Sequence, residues 1–359
     1  MRPSWVEVDL GAIRHNVRAL RELVAPAAVC AVVKADGYGH GDVPVAEAAL
    51  AAGAEWLAVA LLEEGIRLRE AGIEAPVLVL AEPNREDAAE LLHWGLTPTV
   101  YRREMVEALG AGAEVMSGVH LKIDTGMHRV GAKPEEVGDL IARIDEQPLL
   151  SLAGVFTHFA ASDEDDGFTL EQADRFDRTI RHLDGPLVHM ANTAGAILHP
   201  STRRDLVRLG IGIYGLHPSL ATRSHVDLLP AMRIVSHIAF VQRLPAGARP
   251  SYGRRRELGQ DAYVATVPIG YADGLPRLLS GELEVLIRGR RRPLAGTVTM
   301  DQIIVDVGDE PVETGEEVIL IGRQGEQQVS ADEWASMLGT ISYEVVCQIG
   351  PRLPRRYES

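Results

Sequence analysis

The stretch Val29–Gly41, VCAVVKADGYGHG, decides how the rest of this chain is read. Val29, Cys30, Ala31, Val32 and Val33 form an apolar run with the composition of a strand buried on both faces. Lys34 ends the run. Gly37, Gly39 and Gly41 follow, with Tyr38 and His40 between them, so the backbone can turn sharply and approach a ligand closely. A lysine carried by an apolar strand into a glycine-rich loop is partly desolvated, which lowers its pKa and frees its amine for Schiff-base chemistry. A lysine that merely snorkels from a strand end into solvent fits the same residues equally well.

Outward from this stretch the chain alternates. A short strand-like WVEVDL precedes it, and Asp9 is placed to cap a helix through Ala25 with Ile13, Val17, Leu20 and Leu23 or Val24 at helical spacing. Apolar strand candidates fall at 28–35, 55–60, 76–81, 96–101, 118–125, 151–159, 187–192 and 206–215, separated by helical segments near 42–53, 63–72, 84–93, 102–111, 134–145, 169–183 and 193–199. Strand then helix, repeated to eight strands over about 215 residues, predicts an α/β fold, a parallel (β/α)8 TIM-type barrel. A doubly wound open sheet is the alternative, although such sheets usually stop at fewer strands. From about residue 228 the helical period fades and short β-rich runs appear, IVSHIAFVQRL, AYVATVPIG, ELEVLIRG, QIIVDVG and EEVILIG, interrupted by one helical insertion around SADEWASMLG. The expected organisation is a barrel domain over residues 1–228 and a mostly antiparallel β domain over 229–359, with residues 1–10 available to pair with the β domain.

Composition narrows the partners. The 359 residues carry a net charge of −15, which disfavours nucleic acid and anionic membranes and favours a small molecule. Cys30 and Cys347 are far apart and offer neither a disulfide framework nor a metal-binding spacing, which points to a reducing cytoplasm. The first residues lack a signal peptide's apolar core, and no run is long and apolar enough to span a bilayer. Arg254–Arg256 and Arg290–Arg292 are the tight basic clusters, read as solvated loops or salt bridges on an acidic protein.

In a barrel of this kind the site lies at the C-terminal ends of the strands. Lys34 and Tyr38 follow the first, Lys122 and Asp124 the fifth, which runs into Gly126, Met127, His128 and Arg129. His158 ends the sixth, Asn192 the seventh with Thr193 opening a helix, and Arg208 lies in the eighth before Gly210 and Ile211. The usual phosphate pocket of such barrels lies after strands seven and eight, where Thr193 offers a hydroxyl and Gly210 and Ile211 offer amides. Each has a plainer reading: His158 as a satisfied core histidine, Asn192 as a helix cap. Arg208 resists one, because a guanidinium inside an apolar strand is costly without acceptors. No histidine pairs at metal-ligand spacing, so no metal is expected.

These residues sit in motifs that resemble the alanine racemase family over nearly the whole chain: AVVKADGYGHG, LKIDTGMHRVG, THFAASD, HMANTAG and VRLGIGIYG, then SYGRRREL, PIGYADGLPR, GTVTMDQ and ISYEVVCQIGPRLPRRY. The resemblance implies pyridoxal 5'-phosphate held on Lys34, with Lys34 and Tyr252 as two acid–base groups on opposite faces of the substrate. It further implies phosphate contacts from Tyr38, Thr193, Gly210, Ile211 and Tyr343, with Asn192 nearby. Arg208 would face the pyridine nitrogen, supported by His158. Arg129 and the backbone at Met300 and Asp301 would hold the substrate carboxylate, Lys122, often a carbamate in that family, would position Arg129, and Tyr271 would lie at the entrance. Thr193 stands where a serine is common, and Arg254–Arg256 are more basic than usual. A homodimer with shared active sites, supplying D-alanine for peptidoglycan, is the implied setting. A pyridoxal-phosphate amino-acid decarboxylase of the same fold is the competing reading; it needs no second base opposite Lys34, which Tyr252 would supply. A non-catalytic cofactor carrier is a third, disfavoured by the β domain and its polar motifs.

Overall fold

The computed structural model describes residues 3–359. Two compact units emerge: one comprises Gly11–Gly37 and Gly41–Pro230, the other the residues up to Leu10, Tyr38–His40 and Ala231–Ser359.

In the first unit the alternation becomes an eight-stranded parallel sheet. In chain order, after β1 (Ser4–Asp9), its strands are β2 (Ala28–Val32), β3 (Trp56–Val59), β4 (Val77–Val79), β5 (Thr97–Val100), β6 (Ser117–Lys122), β7 (Leu150–Phe156), β8 (Leu187–His189) and β9 (Leu206–Leu209). Their spatial order is β8-β7-β6-β5-β4-β3-β2-β9. Backbone hydrogen bonds from Asp205 to Val188 and from Arg208 to Ala191, both 3.0 Å, bring β8 against β9 and nearly close the barrel. The strands are short because only their apolar centres are buried on both faces. The helix Leu10–Val24 buries Ile13, Val17, Leu20 and Val24, the stripe its spacing predicts.

Five strand expectations overran by three residues or more, and two of them, 28–35 and 151–159, stop at Val32 and Phe156. The 206–215 run is strand only to Leu209 and then tightens into a 3-10 turn at Ile211–Tyr214, where Gly210 leaves the β region. The 118–125 and 187–192 runs likewise stop at Lys122 and His189, because the residues beyond turn across the mouth.

The second unit holds a seven-stranded sheet in the order β14-β13-β16-β10-β1-β18, with β17 paired to β16, and a three-stranded sheet β11-β12-β15. These strands are β10 (Met232–His237), β11 (Phe240–Leu244), β12 (Ala262–Val267), β13 (Glu284–Ile287), β14 (Arg290–Pro293), β15 (Ile303–Gly308), β16 (Glu317–Gln324), β17 (Gln327–Val329) and β18 (Arg355–Glu358). Pairing is antiparallel except between β1 and β18. IVSHIAFVQRL, read as one run, divides between the two sheets as β10 and β11. The expected insertion is the helix Ala331–Leu338, capped by Ser330, and a second helix, Ser342–Cys347, follows it. The basic cluster at 290–292 is a strand whose guanidiniums pair with Glu310, Glu284 and Glu333.

Candidate active site

Lys34 emerges half-buried from the β2 end of the barrel unit. The backbone then enters a left-handed turn: φ is 54° at Ala35, 52° at Asp36, 57° at Gly37 and 51° at Tyr38. Each non-glycine residue held there costs roughly 1–2 kcal/mol, so the turn persists only because its surroundings fix it. Glu64 fixes it. One of its carboxylate oxygens accepts the Ala35 N–H at 2.6 Å, and the other accepts the N–H groups of Ala60 and Leu61 at 2.8 and 3.1 Å. Gly37 N–H also closes back on the Val33 carbonyl at 2.9 Å. Glu64 went unnoticed in the sequence; its signal was an acid at the third position of the helix Leu62–Glu70, where a capping carboxylate belongs.

Arg208 lies fully inside the barrel and has its acceptors. Its Nη1 donates to His189 Nδ1 at 2.8 Å, and its Nη2 donates to the carbonyls of Thr157 at 2.7 Å and Met190 at 3.1 Å and approaches His158 Nδ1 at 3.3 Å. Burial lowers the Arg208 pKa to about 10, which leaves it charged at neutral pH. Burial, reinforced by Arg208, holds His158 and His189 well below the usual histidine range. An arginine only donates, so Nδ1 of His189 must be the acceptor and its Nε2 carries the proton, which is donated to His120 Nδ1 at 2.9 Å. His120, held down to about 4 by burial and Arg208, carries its own proton on Nε2 beside the Trp56 ring. His189 and His120 were missed because each looks like an ordinary histidine in an apolar strand. Gly154 makes room for the chain: a Cβ there would lie 2.6–2.7 Å from the His120 ring.

Phe156 forms the floor. His189 stacks on it at 4.6 Å, while Lys122 Nζ and Arg208 Cζ lie 5.5 and 5.1 Å from its ring centre. Burial, then Arg208, Arg129 and Lys34, lower the Lys122 pKa to about 8. Beyond Lys122, Asp124 accepts the amides of Gly126 and His128 at 3.0 Å and pairs with His128 at 3.1 Å, setting the turn that carries exposed Arg129. On the opposite rim, Thr193 Oγ1 accepts the Gly210 N–H at 3.0 Å, and Ile211 opens the 3-10 turn. Asn192 caps the helix Thr193–Leu198 through the Gly195 N–H at 2.9 Å and accepts the Ser162 hydroxyl at 2.8 Å. No group of three or more His, Cys, Asp or Glu side chains suited to a metal occurs among the described residues.

The remaining expected residues belong to the β unit. Tyr38 and Tyr343 approach with ring centres 6.3 Å apart. The Tyr271 N–H donates to the Thr299 carbonyl and that of Ala272 to the Met300 carbonyl, both at 3.0 Å. Asp301 pairs with Arg352 at 2.7 Å. Tyr252 stands 73% exposed on its own loop, and Met300 and Tyr271 are also exposed.

A nearly closed parallel eight-stranded barrel with a lysine just beyond its first strand and an arginine and a second lysine near its mouth, followed by a mostly antiparallel β unit, defines a two-unit barrel class of protein. The family described as "Alanine racemase, N-terminal domain" matches residues 8–218, and "Alanine racemase, C-terminal domain" matches residues 231–357. Similar curated proteins include an alanine racemase of Symbiobacterium thermophilum, 46% identical over 99% of this chain and 97% of that protein, and one of Desulfovibrio desulfuricans, 42% identical over 99% and 98%. Among solved structures, alanine racemase from Bacillus anthracis with bound L-Ala-P superposes with a TM-score of 0.94 at 37% identity, covering 100% of this chain and 96% of that one. A histidine racemase from Leuconostoc mesenteroides superposes with a TM-score of 0.93 at 29% identity, covering 100% and 98%. The chain belongs to the alanine racemase family and is an isomerase.

Proposed function

We propose that this enzyme interconverts L- and D-alanine with pyridoxal 5'-phosphate, using Lys34 and Tyr252 as acid–base groups on opposite faces of Cα. The observation that carries the reading is the convergence of Lys34, Lys122, Arg129 and Arg208 around His158, which burial first and then these four charges hold well below the histidine range. A cluster of cations with neutral histidines fits an anionic ligand with a phosphate and a carboxylate. When bound, the cofactor spreads the electron pair left on Cα as its proton departs.

The chain's own residues do the rest. Lys34 tethers the cofactor and moves a proton at Cα on one face; Tyr252 moves it on the other. Inversion requires both, since a planar Cα that gains its proton from the side that lost it regains its original configuration. Arg208, which cannot readily give up a proton, would face the pyridine nitrogen of the bound cofactor and would leave it largely unprotonated, limiting the electron withdrawal that favours side reactions. Tyr38, Thr193, Gly210, Ile211 and Tyr343 hold the phosphate, with Asn192 fixing the helix that Thr193 opens. Arg129 and the Met300–Asp301 backbone hold the substrate carboxylate, and Lys122, as a carbamate, orients Arg129. Tyr271 guards the entrance. A homodimer in which each β unit completes its partner's barrel mouth places these groups together, and the exposed Tyr252, Tyr271, Met300, Leu278 and Ile341 of the β unit support such an association. The setting is the cytoplasm, where D-alanine is needed for peptidoglycan. Among the described residues, no helix is long and apolar enough to cross a membrane.

Racemisation is favoured over decarboxylation because Tyr252 offers the second acid–base group that decarboxylation does not need. Incubating L-alanine, with L-histidine as comparator, with and without added pyridoxal phosphate tests this. Optical rotation of alanine should decay to zero while its concentration stays constant; loss of alanine with release of carbon dioxide would favour the decarboxylase, and unchanged rotation would reject the reading.

A further inference from the structure

Tyr252 is mostly exposed, so its own packing does not aim it; the loop beneath it must. That loop is closed at its base by reciprocal backbone hydrogen bonds, Gly247 N–H to the Leu258 carbonyl and Leu258 N–H to the Ala248 carbonyl, both 2.9 Å. Leu258 anchors it in a buried cluster with Ala262, Val264 and Ala295. Arg249 and Glu257 pair across it at 2.5 Å, and Arg256 reaches the Leu294 carbonyl and Asp306.

At the tip the backbone is strained. Ser251 has φ 67° and ψ −179°, a region almost reserved for glycine, and Gly253 and Arg254 follow with φ of 73° and 46°. A non-glycine residue held there costs on the order of 1–3 kcal/mol and stays only where its surroundings compel it. The compelling neighbour is Thr297, 2% exposed, which forms a clasp in both directions. Its carbonyl accepts the Ser251 hydroxyl at 2.7 Å, and its hydroxyl donates to the Tyr252 carbonyl at 2.8 Å. Gly296 allows the two segments to meet: a Cβ there would lie 2.6 Å from the Pro250 carbonyl oxygen and 2.8 Å from Ser251 Cβ. The same strand of sequence continues to Thr299 and Met300, whose carbonyls fix Tyr271 and Ala272.

We propose that Thr297 is a positioning residue for Tyr252: its two-way clasp with Ser251 and Tyr252 holds the loop so that the phenol meets one face of the substrate. This rests on the two-base reading. An unclasped loop leaves the fold and the Lys34 side intact and misplaces only the tyrosine.

Thr297→Val keeps the shape and removes the hydroxyl; Thr297→Ser keeps the hydroxyl. The holoenzymes are compared with α-protonated and α-deuterated L- and D-alanine, and by amide hydrogen exchange over residues 250–256. Thr297→Val should lower kcat about 10- to 100-fold, as small misplacements of a reacting group do. It should raise the primary isotope effect for one enantiomer alone, because Tyr252 removes the α-proton from only one, and speed exchange at 250–256; Thr297→Ser should restore all three. Should Thr297→Val fail to accumulate, Ser251→Ala removes the other half of the clasp and is expected to give the same asymmetry. A variant like wild type in rate and exchange, or one whose isotope effects move equally for both enantiomers, would overturn the assignment. Tyr252→Phe is the control: full activity there refutes the two-base reading itself, whatever Thr297 does.

Discussion

Lys122 shows how the barrel mouth sets the state of a single residue. Burial first, then Arg208, Arg129 and Lys34, draw its pKa from 10.5 to about 8. A folded amine that releases its proton earlier than the unfolded one binds fewer protons between these values, so stability rises with pH across that window. Below it both states are charged, and the fold carries the full penalty, on the order of 3 kcal/mol. In carbonate-free buffer, and in the same cofactor state, Lys122→Met should therefore melt above wild type at pH 7, with the gap shrinking as pH climbs from 8 towards 10.5. A gap that does not change with pH would contradict this account. Added bicarbonate should also raise the wild-type melting temperature near pH 8 and leave the variant unmoved, because conversion of the amine to a carbamate replaces the fourth cation of the cluster with a partner for Arg129. Lys122, His158 and Arg208 could be named from sequence because each is a polar residue at or near a strand end, and Arg129 because it lies on the turn that follows one. His120, His189 and Phe156 could not, because their roles arise from which strands become neighbours: β6 beside β7, and β7 beside β8.

Among elements, the left-handed turn after Lys34 is the one that sequence described least well. Three glycines announced a sharp bend, yet Ala35, Asp36 and Tyr38 also take positive φ, a conformation that no propensity favours and that the long-range bond from Ala35 to Glu64 helps to hold. Glu64→Gln leaves a single carbonyl oxygen to serve three N–H groups and should cost roughly 1–3 kcal/mol of stability, the usual range for orphaned buried donors. It should also weaken pyridoxal-phosphate retention, because Lys34 adjoins the bonded Ala35 amide. Calorimetry and cofactor dissociation kinetics read these two effects; a variant with wild-type melting and retention would show that the turn holds itself. Regular elements were more legible. Each barrel strand overlapped its expected segment, with β6 and β7 beginning one residue early, and each expected helix, counted from its opening 3-10 turn where it has one, was met to within three residues at its start, since apolar runs and helical stripes are local signals. Short edge strands such as β14, which is Arg-Arg-Arg-Pro, carry no apolar period and are strands only by pairing with β13.

For the whole molecule, counting eight strands separated by helical segments, followed by a change of texture, was enough to reach the barrel and the β unit. The expectation that residues 1–10 could pair with the β domain named no partners, and the count could not reveal that β1 lies between β10 and β18. Such non-local pairing leaves no trace in periodicity, because the partners are separated by most of the chain. Nor can one chain's fold explain why Tyr252, Tyr271 and Met300 stand exposed. A twofold dimer does, if each β unit completes the partner's barrel mouth and so joins Lys34 of one chain to Tyr252 of the other. Lys34→Ala and Tyr252→Phe, each nearly inactive alone, can be unfolded, mixed and refolded together. Random pairing makes half the dimers mixed, and each mixed dimer of composite sites has one site with both lesions and one with neither, so about a quarter of wild-type racemase activity should return. No recovery, with mixed dimers demonstrated by mass, would place both groups in the same chain's site and contradict the shared active site.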